Sequence, residues 1–206
     1  MEYNYGDVEL TNLTFEDSYY VFGYNYGNCV MTDITAVVHY GTVDENYSSM
    51  TFNNLKIDSN YYAFPIEDQY DDYCDTYGIP SCIINGGTFE GDYMNCCFYG
   101  YCEINGGAKF VAEDYLEIYS YDCETTFVIN DADFTVEYDN VFYVSGDDAT
   151  LAIYGGRFEA ASSSGYNVID VGGSYETVIL AGGTFTTTND ANVLDGEFGY
   201  SNYIIP

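Results

Sequence analysis

Apolar residues recur along the chain in pairs two positions apart. The pairs are Val8/Leu10, Cys29/Met31, Met50/Phe52, Cys82/Ile84, Cys102/Ile104, Phe127/Ile129, Leu151/Ile153 and Val178/Leu180. Both members are apolar in all eight copies. Side chains of a strand alternate between two faces, so each copy predicts a β-strand with one face buried. Four residues after the first member stands Asn12, Asp33, Asn54, Gly86, Gly106, Asp131, Gly155 or Gly182. These residue types tolerate left-handed backbone, so the chain is expected to turn a corner there in every copy. An inward residue follows: Phe15, Ala36, Ile57, Phe89, Phe110, Phe134, Phe158 and Phe185, at steps of 21, 21, 32, 21, 24, 24 and 27 residues.

A second strand is expected after the corner. Asn140-Val-Phe, Asn167-Val-Ile and Asn192-Val-Leu match one another at steps of 27 and 25 residues, with Asn95-Cys-Cys-Phe a looser copy. Stacking places these asparagines above one another at a turn. It puts Phe142, Val144, Ile169, Val171 and Leu194 inside, with Tyr143, Asp170 and Asp195 outside. Units of this size cannot bury a core alone and share one by stacking. The prediction is an all-β chain folded as a parallel β-helix of about eight rungs, roughly 40 Å long at ~4.8 Å per strand. It forms a single domain over residues 1–206, with an acidic loop excursion at about 65–78 in its longest step.

The strings INGGTF (Ile84–Phe89), IYGGRF (Ile153–Phe158), LAGGTF (Leu180–Phe185) and INGGAKF (Ile104–Phe110) sit in this frame. They resemble the GGTF-type copies of repeat-built right-handed parallel β-helix proteins, a pectate-lyase-like fold of bacterial surface proteins. The resemblance covers roughly residues 8 to 198 and is one of architecture, because such folds host many activities. It implies right-handed coiling and an extracellular or cell-surface setting. Members of such families usually carry a signal peptide and a wall anchor. The start MEYNYGDVEL has neither a basic nor an apolar leader region, so the expectation is an excised module or an incomplete chain.

Composition narrows the function classes. The 206 residues hold 3 Lys plus Arg against 34 Asp plus Glu, a formal net charge of −31, with 26 Tyr and no Trp. A field of that sign repels phosphate backbones, which excludes nucleic acid and disfavours anionic membranes. Apolar runs are only a few residues long, so no membrane insertion by a helix is expected. Of seven cysteines, Cys29, Cys82 and Cys102 fall in the first apolar column and are expected to be buried thiols. Cys74, Cys96, Cys97 and Cys123 complete the set, and the spacings match no zinc template.

Three groups carry candidate chemistry. The excursion concentrates Glu67, Asp68, Asp71, Asp72 and Asp75, oxygen ligands of the kind Ca²⁺ takes, although without EF-hand spacing. Tyr70, Tyr73, Tyr99, Tyr101 and Tyr143 are outward rings with polar tips, suited to glycan or protein contact. Asp170 and Asp195 share a column of neighbouring rungs, at a separation near that of retaining glycosidases. Against catalysis, Lys56, Lys109 and Arg157 are scattered in sequence, and the Gly-His-Gly and Arg-x-Lys elements of polygalacturonases are missing. The reading is an extracellular structural or adhesive module, a stalk, scaffold or surface-binding segment without catalysis. Its partners are a glycan or a host or cell-surface protein. Two alternatives stand beside it: a carbohydrate-active β-helix enzyme using Asp170 and Asp195, and a filament subunit joined end to end through uncapped strands.

Overall fold

A computed structural model describes residues 2–69, 79–94, 97–120, 124–146, 148–161, 163–173, 175–188, 190–196 and 202–204. Strands of successive coils pair in parallel, and the chain winds into a β-solenoid with three faces. The first face stacks Val8–Thr11, Asn28–Thr32, the first halves of Ser49–Ser59 and Ser81–Glu90, then Gly100–Asn105, Thr125–Ile129, Ala149–Ile153 and Thr177–Leu180. The expected copies are therefore all strands, and in the expected register: Cys29 pairs with Met50, Cys82 with Cys102, and Leu151 with Val178. A further strand, Asn202–Ile204, joins the stack by pairing Val178 with Tyr203. A tyrosine in the first apolar column hides this copy from the sequence pattern.

Each coil holds three strands where two were expected. Residues around the inward Phe alternate buried and exposed over Ala108–Ala112 and make a strand of their own. With Ala132–Val136, Arg157–Ala160, Thr184–Thr186 and parts of the earlier long strands they build the second face. The predicted Asn-led strands form the third face, as Leu116–Ser120, Phe142–Gly146, Ile169–Val171 and Leu194–Gly196. Phe142, Val144, Ile169 and Val171 are buried and Leu194 packs against the core, as the alternation requires.

Stacking turns each inward column into a ladder. Phe89, Phe110, Phe134, Phe158 and Phe185 follow one another with ring centroids 4.9, 4.4, 5.8 and 5.2 Å apart and interplanar angles of 10° to 18°. Cys29, Cys82 and Cys102 are free thiols buried in the first column, and burial pushes the Cys29 thiol up to about 12. Cys74, Cys96 and Cys123 lie outside the described residues.

The corner column needs a correction. Asn12, Asp33, Asn54, Gly86 and Gly106 are left-handed, with φ between 53° and 71°. Asp131, Gly155 and Gly182 are not; the left-handed residue of the last two corners is the next one, Gly156 or Gly183. Glycine at 155 and 182 answers a different need, since a Cβ there would stand 2.6 Å from the Asn130 carbonyl oxygen and 2.1 Å from that of Tyr154.

Asparagine ladders close the turns. The Asn167 N–H donates to Asn140 Oδ1 at 2.9 Å, and the Asn192 N–H to Asn167 Oδ1 at 3.0 Å, so the expected stack bonds through backbone donors. A second ladder is wholly internal. Asn4 Nδ2 donates to Asn25 Oδ1 at 2.9 Å, and Asn25 Nδ2 to Asn46 Oδ1 at 2.8 Å, with all three side chains buried. Their second amide hydrogens meet the Asn28, Ser49 and Ser81 carbonyls at 3.4, 3.2 and 3.2 Å, tying the third face to the first strand of a neighbouring coil.

Both kinds of ladder set measurable costs. Phe134→Ala removes the middle of the ring stack and is expected to destabilise by about 3–5 kcal/mol. Asn25→Ala strands buried partners on both neighbouring coils, at about 1–3 kcal/mol for each group left unpaired. Urea unfolding of the two variants beside the parent checks both.

Candidate functional site

The third face carries the carboxylates on which catalysis would depend. Its outward column runs Glu117, Tyr143, Asp170 and Asp195, each in register with the next. A shallow depression of about 560 Å³ lies over the end of this column, lined by Tyr143, Asn167, Asp170, Val171, Gly172, Asp195 and Gly196. Burial pushes the Asp170 carboxyl up, the Val171 N–H draws it back down, and the Asp195 charge adds to the rise. Asp195 is held by the Asn192 amide at 3.2 Å and the Gly196 N–H at 2.9 Å. The two acids project side by side from adjacent strands of one flat face. A glycosidic bond is cleaved between carboxyls that flank it, whereas these two stand on the same outward column.

Tyr143 is committed within the same depression. Its ring packs edge-on against Tyr115 at 5.8 Å, and its hydroxyl lies where any Cβ on Gly172 would stand, 2.0 Å from it. The other described candidate tyrosines are elsewhere. Tyr101 points outward from the first face, in register with Ser81 and Thr126. It donates to Glu103 at 2.8 Å, and burial together with that acceptor pushes its phenol up to about 12. Tyr99 meets Tyr119 edge-on at 6.5 Å. Tyr70 and Tyr73 lie outside the described residues, and the structure places Tyr101 and Tyr143 on different faces.

The acidic excursion begins at Glu67, whose surroundings are phenols. Tyr20 donates to its carboxylate. Burial pushes the Glu67 and Asp44 carboxyls up, against the phenols of Tyr62 beside Glu67 and of Tyr24 beside Asp44, which draw the two carboxyls down. For Glu67 the charges of Asp44 and Glu45 push further up. The Tyr20 phenol rises as well, from burial first and then from Glu67. Asp68 is placed by its backbone, paired with Glu45 across the third face. Asp71, Asp72 and Asp75 lie outside the described residues. Among the described residues, no group of three or more His, Cys, Asp or Glu is placed to hold a metal ion.

Two surface features escaped the sequence pattern. Tyr5, Tyr26 and Tyr47 stack with centroids 5.0 and 4.6 Å apart and rings within 7° of parallel. Tyr19 and Tyr40 stack at 5.6 Å, and Tyr40, Tyr61 and Tyr93 continue the column with tilted rings. Rings stacked this way cover each other's faces; Tyr5 is exposed at the end of the first stack, whereas Tyr47 is buried and its hydroxyl donates to Glu45. The second feature is an exposed amide ladder, Asn53, Asn85, Asn105 and Asn130, bonded at 2.9, 3.2 and 2.8 Å. The repeated strings YNYG at Tyr3–Gly6 and Tyr24–Gly27, 21 residues apart, were the available signal for the tyrosine stack and the internal asparagines together.

No protein-family model matches the chain, and no curated protein or solved structure matches it significantly.

The raised carboxyls fix the direction of pH dependence. Glu67, Asp44, Glu117, Asp139 and Asp170 are all pushed above the ordinary carboxylate range, with burial the largest cause. The folded chain then holds protons that the unfolded chain has lost. The stability tied to these protons is full below the unfolded carboxylate range and disappears as pH rises through the folded values. Melting is expected at a higher temperature near pH 5 than at pH 8, and Glu67→Gln should raise the pH 8 value and flatten the profile. Thermal melts across that range decide it.

Proposed function

We propose that this solenoid is an extracellular structural or adhesive module that works as a rod and a surface, without catalysis. The observation that carries the reading is how the outward side chains are spent. Amides of Asn53, Asn85, Asn105 and Asn130 bond along the stack, Tyr26 stacks on both Tyr5 and Tyr47, and Tyr20 bonds to Glu67. Such ladders brace a rod against bending and fraying, because each bond spans neighbouring coils. The extracellular setting rests on the resemblance of the GGTF-type copies to those of surface β-helices.

One observation favours a second reading, a carbohydrate-active enzyme. Asp170 has a raised carboxyl beside Asp195 in a depression of about 560 Å³. A glycan array with and without Ca²⁺, read for both retention and released sugar, separates the two. The module reading expects retention or silence without released product, unchanged by Asp170→Asn. Product that disappears in Asp170→Asn would establish the enzyme instead.

A further inference from the structure

The coil register gathers what the sequence scatters. Lys56, Lys109 and Arg157 are all the Lys and Arg residues of the chain. On the second face they stand in one outward column, through the pairings Thr35 with Lys56, Lys56 with Thr88, Thr88 with Lys109, Lys109 with Asp133, and Asp133 with Arg157. The cations thus recur at every second rung, ~10 Å apart, and all three are exposed. Arg157 reaches Asp133 at 3.6 Å, whereas Lys56 and Lys109 make no salt bridge among the described residues.

A second outward column runs beside the first, two residues further along each strand. It runs Val37, Asp58, Glu90, Val111, Thr135 and Glu159. Val37 and Val111 are 47% and 45% exposed, aliphatic side chains standing on an open sheet face. The face therefore offers a line of cations and a parallel line of acids broken by valines and a threonine, ~7 Å apart.

We propose that the second face is where two copies of this chain associate side by side. A two-fold axis parallel to the solenoid and midway between the columns sets each column opposite the other and keeps every rung at its own level. Lys56 then faces Asp58 of the second copy, and Arg157 faces Glu159 of the second copy. Val111 meets the methylene stem of the second copy's Lys109, whose ammonium lies one rung from Glu90. Every Lys and Arg of the chain stands here, so no other face can set one of them against these acids. Charge complementarity of this kind fixes register and rejects other approaches more than it adds affinity.

The size of the face sets the strength. Eight strands at ~4.8 Å and a width of about 10 Å give on the order of 400 Å² per copy, below the roughly 800 Å² per partner of a stable complex. Association is weak and reversible, and suits copies held close together on a surface. The mutual repulsion of two acidic rods acts at long range and is screened beyond ~8 Å at physiological salt. Association therefore strengthens from low to physiological ionic strength, the reverse of a simple ion-pair contact.

Sedimentation equilibrium of the full chain from ~10 μM to ~1 mM in ~0.15 M salt tests this. The expected result is a mass rising from monomer toward dimer, with Lys56→Glu/Arg157→Glu lowering the association constant at least ~10-fold. The column exchange Lys56→Asp/Asp58→Lys/Arg157→Glu/Glu159→Arg should restore it, because the two-fold axis preserves complementarity when the columns trade places. All these positions lie on the outer side of the second face, and thermal melts of each variant verify that the fold is kept. A monomer throughout, parent-like association of Lys56→Glu/Arg157→Glu, or an exchange variant that fails to recover overturns the proposal. So does retention of a carboxylated or sulfated glycan by the cation column of a protein that stays monomeric.

Discussion

The paired strand residues of this chain lie above their counterparts in neighbouring coils, ~4.8 Å away, and that constraint governs which side chains those positions can hold. A column favours side chains that are content beside copies of themselves. Phenyl rings satisfy this by stacking, asparagines by bonding amide to amide, threonines by hydrogen bonds and methyl contacts. Carboxylates do not, and they are the most abundant charged groups of the molecule. The three faces are different settlements of one problem: how to stack a strongly acidic chain upon itself.

On the third face the solution is neutralisation by hydrogen. Burial lets the Glu67 and Asp44 carboxyls keep their protons to higher pH than usual, while the neighbouring phenols pull the other way. On the second face the solution is interleaving. The cations alternate with threonine or aspartate up their column, with Asp133 between Lys109 and Arg157. On the first face an amide ladder takes the place of charge in one column beyond Thr32, where Asn53 begins the run, and its Asn130 also donates to Glu103. None of these arrangements needs a bound ion, yet each leaves distinct chemistry facing water.

The fold was legible wherever periodicity was two and the repeated residue was apolar. Val8, Cys29, Met50, Cys82 and Cys102 declare the first face, and Phe142, Ile169 and Leu194 the third. The middle strand was harder, because Ala108–Ala112 and Arg157–Ala160 are short and carry alanine where a larger residue would announce itself. Corners at Gly155 and Gly182 were placed correctly for the wrong reason, since glycine there makes room for a neighbouring carbonyl and the left-handed turn falls one residue later. The internal Asn4, Asn25 and Asn46 were invisible to hydropathy, which counts a buried amide as an exposed one. The cation column was hidden for another reason: Lys56, Lys109 and Arg157 are 53 and 48 residues apart, and only unequal coil lengths bring them into line.

Equal coil lengths have a consequence for how such a molecule grows. The early coils repeat at 21 residues, and over that stretch the Asn4–Asn25–Asn46 and Tyr5–Tyr26–Tyr47 ladders advance one rung per step. Duplicating or deleting one such segment leaves every ladder intact and changes only the height of the rod. A gene encoding it can lengthen by unequal recombination without passing through a misfolded intermediate. Beyond Asn46 the step stretches to 32 residues, and the Asn46 amide turns to the Ser48 and Ser81 carbonyls. That coil is the seam between a stretch of equal 21-residue steps, free to vary in number, and one whose steps range from 21 to 27 residues.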